Sequence, residues 1–157
     1  MDIQSEKLLA QIIRNTRIAA LGTLRDEAPH VSMVEFVVTQ DFSTFHIFGS
    51  RLMPLFMDLQ KNKRMDLLIT ESDDGRTNPQ SLGRVSIRGS AELMQNGEPG
   101  FTPIKKMYIE RFPESESLFK LEDFGLWRIN PKGGRFVAGL AKGYNISPET
   151  LLKVSSL

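Results

Sequence analysis

Residues 84–93, RVSIRGSAEL, constrain the fold more than any other stretch of the chain. Val85, Ile87, Gly89, Ala91 and Leu93 fall on one side of an extended backbone, and Arg84, Ser86, Arg88, Ser90 and Glu92 on the other, because successive strand side chains point to opposite faces. This is a long strand with one dry face and one wet face, and its backbone N–H and C=O groups need neighbouring strands. Other segments supply them. IAALGTLRD, HVSMVEFVV and TFHIFGS are short β-rich runs divided by DEAP and TQDFS, and they read as a three-strand antiparallel meander. MDLLITE adds a strand, and FGLWRINP and GRFVAGLA read as two more around the turn NPKGG. The spacing predicts a mainly β fold: a small antiparallel barrel of six to seven strands with flanking helices.

Helical spacing occurs in four places. Ile3, Leu8, Leu9, Ile12 and Ile13 predict an amphipathic helix over 4–15. Leu52, Leu55, Phe56 and Leu59 predict a second over 53–62, with Pro54 in the first turn, where its missing N–H does no harm. IKKMYIERFPESESLFKL predicts a third, with a short continuation after Pro113. In SPETLLKV, Ser147 is a candidate N-cap with Pro148 at the first helical position. At 157 residues these elements are expected to form one domain, 1–157.

Several function classes are excluded. Twenty Lys and Arg against nineteen Asp and Glu leave a net charge of +1, which gives no field to attract nucleic acid. The chain has no cysteine, so thiolate nucleophiles, disulfides, iron–sulfur clusters and cysteine zinc sites are ruled out. No segment reaches the roughly 18 apolar residues of a membrane span, and MDIQSEKLLAQIIRN lacks the order of a leader peptide. A soluble, cytoplasmic protein without a membrane partner is expected. Hydrolase and nucleotide-triphosphatase motifs are absent.

The most suggestive local feature is Ser50-Arg51, a hydroxyl and a guanidinium where a strand run meets a helix run. If strands two and three form a hairpin turning near Asp41-Phe42, Ser32 lies across from Ser50 or Arg51. A helix N-terminus with an arginine fork and two hydroxyls suits a phosphate. The same residues also serve as a plain cap and a solvated charge.

AALGTLRDEAPHVSMVEFV, GSRLMPLFMDLQKNKRMDLLI and GRVSIRGSAEL, in that order, resemble the flavin-binding split-barrel superfamily of pyridoxamine 5′-phosphate oxidase-like proteins. YIERFPESESLFKLEDFGLWRINPKGGRFVAGLAKGYNISPETL is similar to its haem-utilisation branch. The resemblance implies a homodimer with flavin mononucleotide (FMN) at the subunit interface and a redox enzyme acting on a small molecule. It points to Ser50 and Arg51 for the phosphate, with Ser32 and Arg84 as further contacts. Lys142 stands where the family often has the arginine of Gly-Phe-Gly-Arg. Haem or a deazaflavin are the alternative cofactors, and a haem-binding or haem-degrading protein of that branch, or a non-enzymatic cofactor-binding protein, is the alternative function. Two departures stand out: Leu55 and Phe56 occupy positions where the family commonly has His-Thr or Lys-Thr, and no histidine follows His46 to ligate haem iron.

Other candidates are sparser. His30, just before the Val31 run, is the better axial haem candidate, whereas His46 alternates with Thr44 and Phe48 as a strand residue does. Glu71, Asp73 and Asp74 share an acidic loop without an EF-hand pattern, so no metal site is expected. Lys61 to Arg64 suit a helix C-terminus. Trp127 and Phe124 are aromatic enough either to stack on an isoalloxazine or to fill a core.

Overall fold

A computed structural model describes residues 1–157. The first half runs α1 (Ile3–Asn15), β1 (Ile18–Arg25), β2 (Ala28–Glu35), β3 (Val37–Val38), β4 (Phe45–Ser50), α2 (Pro54–Lys61) and β5 (Arg64–Thr70). The second runs β6 (Arg84–Leu93), α3 (Phe101–Arg111), α4 (Ser115–Leu118), β7 (Phe124–Gly139), β8 (Lys142–Ile146) and α5 (Pro148–Val154). All pairings are antiparallel, in the order β2-β1-β5-β6-β7-β4-β3, with β8 on β7. Because β2 passes into β3 through Phe36 alone, the two ends of that order are one bent stretch of chain. The sheet therefore curls into a split barrel, the mainly β architecture expected from the alternation of β6.

The expected meander is only half present. β1 and β2 form a hairpin on Asp26 and Glu27, both left-handed at φ 50° and 67°. β4 does not continue it: it pairs with β7 along its whole length and with only the two residues of β3. A hairpin does turn near Phe42, which is left-handed at φ 58°, but its ladder ends at Val37 opposite His46. There Phe36 N–H donates to Arg17 C=O and the chain crosses to β1. Ser32 consequently lies opposite Leu21, not opposite Ser50 or Arg51.

NPKGG is likewise not a turn. β7 runs through it as one strand of 16 residues, with a bulge where Arg88 faces Gly133 and Gly89 faces Pro131. Proline, which has no ladder N–H to give, is tolerated at such a bulge. The neighbouring glycines serve close approach: a Cβ on Gly134 would overlap the Ser86 carbonyl, and one on Gly89 the Asn130 carbonyl. The reversal comes later, at Leu140-Ala141, where Ala141 is left-handed at φ 59°.

The dry faces of the strands, among them Leu21, Ile47, Leu67, Val85, Ile87 and Phe136, fill the barrel. α2 plugs it with Leu55, Phe56 and Leu59, all buried, and the Phe56 ring stacks on Trp127 at 5.6 Å between centroids. α1 and α5 pack together, contributing Leu9, Ile12, Ile13, Leu151 and Val154 to the same core. α3 builds a smaller cluster outside the barrel, where Ile104, Tyr108 and Phe112 meet Val37, Met94 and Leu126. No helix is long and apolar enough to cross a membrane.

Candidate cofactor site

Directly paired residues share a face of an antiparallel sheet, so the registers define what the barrel shows to solvent over β1, β2, β5 and β6. One row reads Met33, Ala20, Leu68, Ser86, Arg135 and Asn145 across β2, β1, β5, β6, β7 and β8. The next reads Val31, Gly22, Asp66, Arg88 and Gly133. Both rows are apolar at one end and charged at the other.

At the apolar end Val31 is 73% exposed and Met33 70%, with Leu68 and Ile18 exposed beside them. Ala20 and Gly22, in the middle, leave the surface low enough for a flat body to lie against it. At the charged end Asp66, Ser86, Arg88, Arg135 and Asn145 surround a groove of about 470 Å³. Arg135 donates to Asn145 Oδ1 at 3.0 Å, and neither Arg88 nor Arg135 forms an ion pair. Asp66 sits across from Arg88, and burial raises its pKa above the usual carboxylate value while Arg88 pulls the other way. Two guanidiniums against one carboxylate leave the groove positive, and guanidinium forks match phosphate or carboxylate oxygens.

The residues expected from the sequence fall elsewhere and apart. Ser50 donates to Asp123 Oδ2 at 2.6 Å and accepts from Leu52 N–H at 3.2 Å. Arg51 gives its backbone N–H to the Asp123 carbonyl and its guanidinium to the Glu122 carbonyl, each at 2.7 Å. The strand-to-helix joint is thereby tied to the segment before β7. Ser32 faces Leu21 on the dry side of β2. The Arg84 guanidinium is held at 3.1 Å by both the Gln80 and Leu82 carbonyls, and Lys142 is exposed at the start of β8. His30 pairs with Thr23 on the inner side, near Asp58. His46 is buried, its Nε2 bonded to Thr44 Oγ1 at 2.9 Å and its Nδ1 without a partner. Neither imidazole stands on the β1–β2–β5 face. Asp58 is buried and accepts from Arg25 at 2.8 and 3.0 Å and from Thr23 at 3.0 Å, which fixes α2 to β1.

Arg88 and Arg135, the cations of this groove, are not among the site residues expected from the sequence. Arg88 was legible as a wet-face residue of β6, but only the bulged register with β7 brings Arg135 alongside.

The family model for pyridoxamine 5′-phosphate oxidase matches residues 5–138. The chain belongs to that family. Among curated relatives, the haem oxygenase HutZ of Vibrio cholerae is 24% identical over 125 residues, covering 79% of this chain and 70% of HutZ. The chloroplastic haem oxygenase HOZ of Arabidopsis thaliana is 29% identical over 116 residues, 74% of this chain and 34% of HOZ. A haem-binding protein from Mycobacterium smegmatis has the same fold, with a TM-score of 0.85 at 17% identity over 98% of this chain and 62% of that one. The chain thus spans about a third of the length of HOZ and about six-tenths of the mycobacterial protein. These relatives lie in the haem-utilisation branch suggested by the C-terminal half of the sequence.

Proposed function

We propose that the chain acts as a homodimer that covers the β1–β2–β5 face and holds there a planar redox cofactor with an anionic end. The observation that carries this reading is the pair of guanidiniums without an ion-pair partner, Arg88 and Arg135, on the same face as the exposed Val31 and Met33. In this reading Val31, Met33 and Leu68 seat the ring, Ala20 and Gly22 let it approach the backbone, and Arg88, Arg135 and Ser86 hold the anion. Asp66 holds a proton more readily than an ordinary carboxyl because of its burial, and so repels the anion less.

FMN is the cofactor this chemistry favours, because its single phosphate matches the groove and no histidine is needed. Bound there, it would supply hydride and electron transfer, while the protein orients the ring and excludes water. A deazaflavin would use the same groove through its phosphate. Haem is the second reading, favoured by the two haem oxygenases among the relatives; its propionates suit two arginines, but its iron would take no ligand from His30 or His46. Ser50, Arg51, Ser32, Arg84 and Lys142 are then secondary contacts or braces.

The test is titration of the purified protein with FMN and, separately, with haemin, followed by absorbance. Stoichiometric uptake of FMN that weakens about 10- to 100-fold in Arg88→Ala and Arg135→Ala, and less in Arg51→Ala, is the expected result, from about 1.5–3 kcal/mol per charged hydrogen bond. Uptake of haemin alone would move the haem reading ahead. Unchanged affinity in both groove variants would remove the site.

A further inference from the structure

The outward sides of β4 and the first residues of β7 lie by α3 and α4, away from the β1–β2–β5 face. A cleft of about 290 Å³ opens there between residues 93–96 and 119–126. Its wall is aromatic. Phe48, Phe101, Phe119 and Phe124 all line it and all remain partly exposed. Phe48 stacks on Phe119 with centroids 3.9 Å apart and tilts against Phe124 at 5.4 Å. Phe48, Phe101 and Phe119 pack with one side on the small core of Tyr108, Phe112 and Leu126 and stay partly open on the other.

Two cations, Arg51 and Lys120, line the same cleft, and neither forms an ion pair. Glu122 is the one carboxylate among the lining residues, and Arg51 binds its backbone carbonyl rather than its side chain. The cleft therefore carries an excess of positive charge beside aromatic faces.

A buried donor lies on the inner side of β7, where Trp127 pairs with Ile47 and stacks on Phe56. The indole N–H of Trp127 has no acceptor, although the residue is 2% exposed. A Cβ placed on the cleft residue Gly125 would be 3.6 Å from that nitrogen, 3.6 Å from Arg51 Cγ and 2.6 Å from Leu93 Cδ1. Gly125 and Leu93 both line the cleft, so the indole reports on it through these two residues.

We propose that this cleft binds a small planar aromatic anion, with its ring among the phenylalanines and its charge at Arg51 and Lys120. Ligand pockets span roughly 300–1,000 Å³, so the cleft takes one or two fused rings and is too small for a macrocycle. The site is separate from the proposed cofactor face and stands whether or not a cofactor binds there.

Trp127 is the only tryptophan, so ¹⁵N-labelled protein gives a single indole cross-peak. Titration with 2-naphthoate should move that peak to saturation. 2-Naphthylmethanol, with the same rings and no charge, should bind more weakly by up to about fivefold, as should 2-naphthoate with Lys120→Glu, the scale of one exposed ion pair. Lys120 is exposed, and an unchanged melting temperature would verify that this variant folds. Saturating FMN or haemin should leave the titration unaltered. A stationary indole peak up to the solubility limit would overturn the site. Equal affinity for the neutral probe, or for the variant, would remove its anion selectivity and with it the proposal. Competition by either cofactor would mean that 2-naphthoate occupies the cofactor face instead.

Discussion

Truncating Phe56 to alanine tests the claim that α2 plugs the barrel. The ring is 2% exposed, stacks on Trp127 at 5.6 Å and lies directly over Gly49, where a Cβ would overlap it. A buried Phe→Ala change costs about 3–5 kcal/mol, the transfer loss plus the cavity left behind. In a chain of this size each kcal/mol lowers the melting temperature by roughly 2–4 °C, so a fall of about 6–20 °C is expected. Urea unfolding followed by Trp127 emission measures the loss, and the same emission reports the missing partner ring. A second substitution checks the geometry. Gly49→Ala alone should cost roughly 1–3 kcal/mol by overpacking, and much less once Phe56 is alanine, because the atoms it would strike are gone. Strict additivity of the two changes, or a loss under about 1 kcal/mol for Phe56→Ala, would refute the plug.

Three further outcomes follow from the same structure. Burial, with the Arg128 charge second, holds the His46 pKa down at about 4 against 6.5 for free histidine. The unfolded chain then takes its proton first, so stability is full above about pH 6.5 and falls by on the order of 3 kcal/mol as pH drops to about 4; a urea series that stays flat over that window in wild type, or is unchanged by His46→Phe, would contradict the burial. If the proposed homodimer covers the β2 face, Met33→Asp should give a monomer in sedimentation velocity where wild type gives a dimer, while leaving the fold intact, since Met33 is 70% exposed in the single chain. Asp58→Ala, which strips Arg25 and Thr23 of their shared acceptor, should lower the melting temperature more than Asp74→Ala, whose partner Arg76 lies on the exposed 71–76 loop.

The sequence made the barrel legible because burial writes itself into spacing. β6 alternates, and in the structure Val85, Ile87 and Ala91 are buried where the pattern put them. The helices over 4–15 and 53–62 appear within a residue or two at Ile3–Asn15 and Pro54–Lys61. Pairing was harder, because a strand's partner leaves no mark on its own residues. Nothing in HVSMVEFVV announces that Phe36 bends the chain away from β4, and the glycines of NPKGG look the same whether they reverse a strand or let a neighbour come close. Turn chemistry favoured the wrong reading there, and only the 16-residue β7 resolves it.

Ser50-Arg51 shows how the same limit bears on function. Chemically the pair suits an anion, and in the structure Ser50 does donate to one, the chain's own Asp123 carboxylate, while the Arg51 guanidinium is taken by the Glu122 carbonyl. An external phosphate placed against Ser50 would meet that carboxylate, whereas Arg88 and Arg135 face a groove with two cations and one hindered acid. The apolar Leu55 and Phe56 agree with this division: they are spent on the core and leave α2 no polar group there to offer a cofactor. If Arg51→Ala weakens FMN binding as much as Arg88→Ala does, the joint belongs to the cofactor site after all, and the Asp123 contact must open when the ligand arrives. If Arg51→Ala instead abolishes the 2-naphthoate response and spares FMN, the two ends of the barrel serve two ligands.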